Sequence, residues 1–181
     1  TAVLAVYWLL NVAYTVRLKF VVILDVFVIA SGYLLRVIGG AVAIQSRMSA
    51  WLLICTTLLA LFIGLCKRRH EIVLLHTGAP GHRQVLDEYP LPFLDMMIGV
   101  ITASIVVSYT LWTVSDEVVS KLPLPGLLLT APCVLYGLFR YLYLVYRRVE
   151  GGDPTQSILT DRPMLVNLLV WTVATGIMLY G

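Results

Sequence analysis

The chain has 181 residues, of which 60% are hydrophobic and only 13% charged, with a mean hydropathy of +0.91. A soluble domain is usually about 45–50% apolar and about 25% charged, so too few charges are present to coat a water-facing surface. That excludes a soluble enzyme and a disordered chain, and a formal net charge of +3 excludes a nucleic-acid-binding module, whose basic face needs far more positive charge.

One transmembrane helix takes roughly 20 apolar residues, so the length allows about six spans. Hydropathy marks six runs: about 1–14, 19–44, 50–66, 92–114, 126–146 and 163–181. Pro123, Pro125 and Gly126 break the chain between the fourth and fifth runs, as a turn requires. No repeat and no composition shift divides the chain. The expectation is an all-α, polytopic transmembrane helical bundle forming one domain over residues 1–181. The chain opens at Thr1 inside an apolar run, without a charged leader, so a truncated fragment is expected rather than a signal peptide. Cys55, Cys66 and Cys133 are an odd number lying in or beside apolar runs, which argues against a disulfide framework.

Loops 15–19, 67–91 and 147–162 share one side of this topology. They carry Arg17, Lys19, Lys67, Arg68, Arg69, Arg83, Arg147, Arg148 and Arg162, against Arg47 and Lys121 on the other side. The excess marks the first side as cytoplasmic. His70, His76 and His82 lie there too but fit no zinc spacing.

Several residues stand out in chain order. Tyr14, Arg17 and Lys19 form a short basic turn before the second run. They either converge on an anionic ligand or act as interfacial anchors and snorkelling cations. Within that run, Asp25 and Arg36 interrupt apolar sequence. A charge near the bilayer centre costs at least about 2.5–3.5 kcal/mol, so such residues face a cavity or a partner. Eleven residues bring them within roughly 20° of one helix face, about 16 Å apart along the axis. They either mark the ends of a polar track that includes Tyr33 or bond structurally to other helices.

The third run ends in GLCKRRHEIVLL. If helix continues through it, Lys67 and Arg68 share a face with Glu71 at i,i+4 and i,i+3. Cations beside a carboxylate suit a magnesium-bound diphosphate, although a basic helix end is also ordinary topology and headgroup contact. Asp87, Glu88, Tyr89 and Asp95 lead into the fourth run and suit a helix N-terminus. Arg140, among Tyr136, Tyr141 and Tyr143, either covers a lipid phosphate or snorkels. EGGDPTQSILTDRP reads as a polar turn with a helix starting at Asp161.

The strings LKFVVILDVFVIASGYLLRVIGGAVA, GLCKRRHE, LDEYPLPFLDMMIGVITAS and LYGLFRYLYLVYRRVEGGDPTQSILTDRP resemble the UbiA-type membrane prenyltransferase superfamily. The likeness is to its decaprenyl-phosphate phosphoribosyltransferase branch and covers essentially the whole chain. The resemblance implies a nine-helix fold of which these spans are helices four to nine. Its Asp-rich magnesium signature between helices two and three is absent here, and Lys67–Glu71 stands where the usual second Asp-rich motif would be. That departure argues against an ordinary aromatic prenyltransferase.

The implied activity is transfer of a 5-phosphoribosyl group from 5-phosphoribosyl diphosphate to a polyprenyl phosphate in the bacterial inner membrane, with Mg²⁺ as cofactor. Lys67, Arg68 and Glu71 are the implied catalytic residues, with Glu71 a metal ligand beside a main site upstream. Tyr14, Arg17, Lys19, Asp25, Tyr33 and Arg36 are the implied substrate-binding residues. The partners are the polyprenyl phosphate, the sugar donor and membrane lipids, with no nucleic acid. The fragment alone is expected to be inactive. Alternatives are a UbiA-type prenyl transfer to an aromatic or lipid acceptor, and a transporter or membrane scaffold. Prenyl chain length and oligomeric state, a homo-oligomer included, stay open.

Overall fold

The computed structural model describes residues 2–45, 48–76, 89–120, 126–147 and 154–180, and all regular structure among them is helical. The helices are α1 Ala2–Val16, α2 Leu24–Ala43, α3 Ala50–His76, α4 Leu91–Thr113, α5 Asp116–Val119, α6 Ala131–Arg147, α7 Pro154–Thr160 and α8 Arg162–Tyr180. Segments Leu24–Ala43, Ala50–Leu74, Leu91–Thr113 and Gly126–Arg147 are long and apolar enough to cross a membrane, and Val3–Val16 and Arg162–Met178 are shorter apolar helices. Large apolar side chains such as Leu4, Leu129 and Ile177 stand exposed, as lipid-facing positions do. This is an all-α, multi-pass membrane protein.

The helix ends follow local chemistry and correct three sequence expectations. The second run is not one helix from residue 19. Leu18–Phe20 forms a short 3-10 turn, and α2 starts only at Leu24. Ile23 before it holds φ 73° and ψ −47°, a strained conformation for a β-branched residue. Asp25 therefore sits in the first turn of α2, where the helix dipole favours a carboxylate, and not in mid-membrane.

The third run extends well beyond residue 66. The stretch KRRHEIVLLH has no Pro or Gly and is rich in good helix formers, so α3 carries it as helix. The polar stretch after residue 150 contains a short helix, α7, opening on Pro154, where the missing N–H is no loss. The expected helix start at Asp161 is present. Its carboxylate accepts the Met164 N–H at 3.0 Å, which caps α8. Arg47, His82, Arg83, Asp87, Glu88, Lys121, Pro123, Pro125 and Arg148 lie outside the described residues.

The chain divides into two compact units, Thr1–Ile101 and Thr102–Gly181. In the first, α2 packs on α3 and on α1, burying Val26, Ala30, Phe62, Leu65 and Cys66. The α2–α3 approach is close because Gly64 has no side chain. A Cβ there would meet Val26 Cγ1 at 2.8 Å. Gly64→Leu should therefore destabilise the protein by about 1–3 kcal/mol, read as a lowered unfolding temperature in detergent.

In the second unit, Leu127, Leu138, Leu144 and Val145 are buried. Arg140 neither snorkels nor stands alone: its Nε and Nη2 donate to Asp161 Oδ2 and Oδ1 at 2.9 and 2.8 Å. Its guanidinium also lies 5.1 Å from the Tyr143 ring centroid. The Asp161 carboxylate thus ties α6 to the start of α8. Asn167 Nδ2 adds a bond to Cys133 O at 3.0 Å, and the Trp171 indole N–H donates to Tyr109 OH at 3.0 Å.

Candidate functional site

Chain alternation places the end of α1, the start of α2, the end of α3 and the start of α4 at one end of the first unit. The charged side chains gather there. Asp25 is fully buried. Its Oδ2 accepts from Arg68 Nε at 2.8 Å and its Oδ1 from Tyr89 OH at 2.8 Å. Tyr89 OH in turn accepts the Ile23 backbone N–H, so one phenol bridges the strained turn before α2 and the carboxylate after it.

Arg68 is also buried, and its Nη1 donates to Glu71 Oε2, one helical turn on. Glu71 remains 28% exposed, so the network has a buried end at Asp25 and a solvent-reaching end at Glu71. Arg69 Nε donates to Asp95 Oδ1 at 2.7 Å, joining α3 to α4. His70 is buried beside them.

Burial pushes the Tyr89 phenol above its ordinary range. It stays a neutral donor wherever the protein is folded at ordinary pH. A raised folded-state value means the neutral phenol contributes its full stability below about pH 10 and loses it as pH rises through the higher value. Tyr89→Phe removes the donor to a buried carboxylate and the acceptor for Ile23, and should cost about 1.5–3 kcal/mol. Thermal unfolding in detergent at neutral pH checks this.

The structure separates the residues singled out from sequence into three groups. Arg68, Glu71 and Asp25 come together, with Arg68 set between the two carboxylates. Lys67 and Arg17 are exposed. Lys19 is half-buried, with its Nζ 4.9 Å from the Phe20 ring centroid. Tyr14 lies near enough to Arg68 to feel its charge, and it lines a small cavity between α1 and α2.

That cavity, of about 190 Å³, is also lined by Tyr7, Asn11, Gly32, Tyr33 and Arg36. Arg36 belongs to this third group, away from Asp25. Its Nη2 donates to Tyr7 OH at 2.8 Å. Sequence reasoning missed Tyr89 as a partner of Asp25 and Asp95 as a partner of Arg69. No periodic pattern links residues 64 and 26 positions apart.

Among the described residues, no three His, Cys, Asp or Glu side chains gather to hold a metal ion. Magnesium bound to a diphosphate needs only one or two protein carboxylates, because phosphates and waters complete its octahedron. Glu71, partly exposed, fits that limited role; Asp25, closed off by Arg68 and Tyr89, does not.

The chain is 29% identical to a decaprenyl-phosphate phosphoribosyltransferase of Mycolicibacterium smegmatis, over 98% of the chain and 58% of that protein. It is 26% identical to a protein of the same name from Corynebacterium glutamicum, over 98% of the chain and 53% of the relative. A third, from Mycobacterium tuberculosis, is 27% identical over 96% of the chain and 56% of its own length. The chain thus spans a little over half the length of these relatives. No family model matches it.

Proposed function

We propose that the chain is part of a membrane phosphoribosyltransferase that moves a 5-phosphoribosyl group from 5-phosphoribosyl diphosphate to a polyprenyl phosphate and releases diphosphate. The similarity to three proteins of that name along almost the whole chain carries this reading. The charged network at one end of the membrane helices supports it. The site faces the cytoplasm of a bacterial inner membrane, where a water-soluble sugar donor is present and the acceptor's phosphate reaches the boundary.

Each residue then has a task set by its surroundings. Lys67, exposed on α3, and Arg17 and Lys19 before α2 neutralise phosphate oxygens at the boundary. Arg68, committed to two carboxylates, holds Glu71 in place and does not itself meet the donor. Asp25 and Glu71 outnumber Arg68, and the surplus negative charge suits a cation carried in with the diphosphate. Glu71 would hold part of the shell of a bound magnesium, which would supply neutralisation of the charge developing on departing diphosphate.

The ribose C1 becomes electron-poor as that bond lengthens, and the reaction needs it shielded from water. A lipid phosphate is already an anionic nucleophile, so no strong general base is needed.

The test is an assay of the intact protein in membranes with decaprenyl phosphate and 5-phosphoribosyl diphosphate. Product is read as a lipid heavier by one phosphoribosyl group. Formation of that lipid is expected; its absence, with transfer from a prenyl diphosphate to an aromatic acceptor instead, would refute the reading.

A further inference from the structure

Tyr89 lies outside every helix, just before α4 opens at Leu91, yet it is only 3% exposed. Its phenol oxygen accepts the Ile23 backbone N–H and donates to Asp25 Oδ1 at 2.8 Å. Both bonds answer a local need. Ile23 is the N-cap of α2, and the first N–H groups of a helix have no intrahelical partner. Its φ of 73° and ψ of −47° are a conformation that persists only where the surroundings fix it. The neighbouring amides bond within the segment: Val21 N–H donates to Leu18 O at 3.3 Å, Asp25 N–H to Val21 O at 3.1 Å, and Phe27 N–H to Ile23 O at 3.1 Å. The Ile23 N–H goes instead to a side chain 66 positions away.

Two arms leave this phenol. One runs through Ile23 to the turn that carries Arg17 and Lys19. The other runs through Asp25 to Arg68 Nε at 2.8 Å, and from Arg68 to Glu71. We infer that Tyr89 is a positioning residue for the transfer reaction, its hydroxyl setting the basic turn before α2 and the Glu71 carboxylate of α3 in one fixed relation. The inference rests on the reading of Arg17, Lys19 and Glu71 as groups that meet the sugar diphosphate.

Those groups lie on two separate segments and must meet one ligand together. A misplacement of about 1 Å that originates far from the chemistry can cost about 10²-fold in rate. Tyr89 is enclosed, so it acts through the residues it holds and not on the substrate.

Phosphoribosyl transfer and backbone hydrogen exchange, measured on the intact protein in nanodiscs, test this together. Tyr89→Phe keeps the ring and loses the hydroxyl, and turnover per folded protein should fall about tenfold or more. In a Glu71→Gln background the same change should cost only about threefold, because one of its two arms already ends on an altered group. A role confined to stability would lower activity by the same factor in both backgrounds. In Tyr89→Phe the amides of residues 18–24 should exchange about tenfold faster, while those of α6 keep their wild-type rates.

Asp25→Asn cuts the second arm alone, since it leaves Arg68 its Glu71 partner and Ile23 its phenol. Turnover should fall while exchange at residues 18–24 stays at the wild-type rate, and this variant carries the test if Tyr89→Phe fails to fold. Equal cost of Tyr89→Phe in both backgrounds, wild-type exchange at residues 18–24 in Tyr89→Phe, or wild-type turnover in Asp25→Asn would each overturn the positioning role. A wild-type protein that forms no phosphoribosyl lipid would refute the reaction instead, and the exchange rates of Tyr89→Phe would still decide whether the phenol fixes the turn.

Discussion

Arg68→Met is expected to destabilise the protein by about 3–5 kcal/mol, because it leaves the Asp25 carboxylate buried without its cation. The geometry makes the loss larger than at an ordinary ion pair. Both side chains are almost fully enclosed, at 3% and 1% exposure, so water cannot replace the missing partner. Tyr89 still donates to Asp25, but one phenol does not neutralise a carboxylate.

The companion change reveals what the pair is for. Exchanging both charges, as in Asp25→Leu with Arg68→Met, removes the desolvation penalty along with the attraction and should recover most of the stability. It should not recover transfer activity, since Glu71 loses the guanidinium that fixes it. Thermal unfolding and transfer assays on the two single variants and the double variant separate these effects. A double variant as unstable as Arg68→Met would show that the pair, rather than the unpaired charge, holds the fold.

Lys67→Ala and Glu71→Ala are each expected to cut phosphoribosyl transfer by about 10²-fold or more with the fold intact. Removing one group aimed at developing charge typically costs about 10²–10³ in turnover. Lys67 is exposed, and its truncation disturbs no packing, so its loss should appear in turnover and not in unfolding temperature. Glu71 is held by Arg68, so its replacement should carry a modest stability cost as well. Glu71→Gln keeps the size and loses the charge, and should resemble Glu71→Ala in activity.

Much of this architecture was legible because membrane helices are written in composition. Runs of apolar residues gave every long helix, and the Lys67–Glu71 spacing gave the Arg68–Glu71 pair once α3 continued past the apolar run. The break at residues 17–23 was not legible. Past Arg17 and Lys19, residues 20–23 are as apolar as the helix that follows, and the turn is held by Tyr89 from a distant segment. Likewise, the helical period put Asp25 and Arg36 on one face, yet their partners come from different helices. Asp25 meets α3 and Tyr89, and Arg36 meets α1. Arg68 read as a phosphate ligand because its two carboxylates could not be seen together in the sequence. Local spacing displays Glu71 but not Asp25, 43 residues away.

The central claim is that the exposed end of this network, at Lys67 and Glu71, meets the sugar diphosphate. Chemical acylation of Lys67 in the intact, membrane-embedded protein, followed by peptide mass spectrometry, reports on it directly. Saturating 5-phosphoribosyl diphosphate with magnesium should slow Lys67 labelling several-fold, and ribose 5-phosphate at equal concentration should protect much less. Labelling of Lys67 at the same rate with and without the donor, in protein that is turning over, would contradict the account.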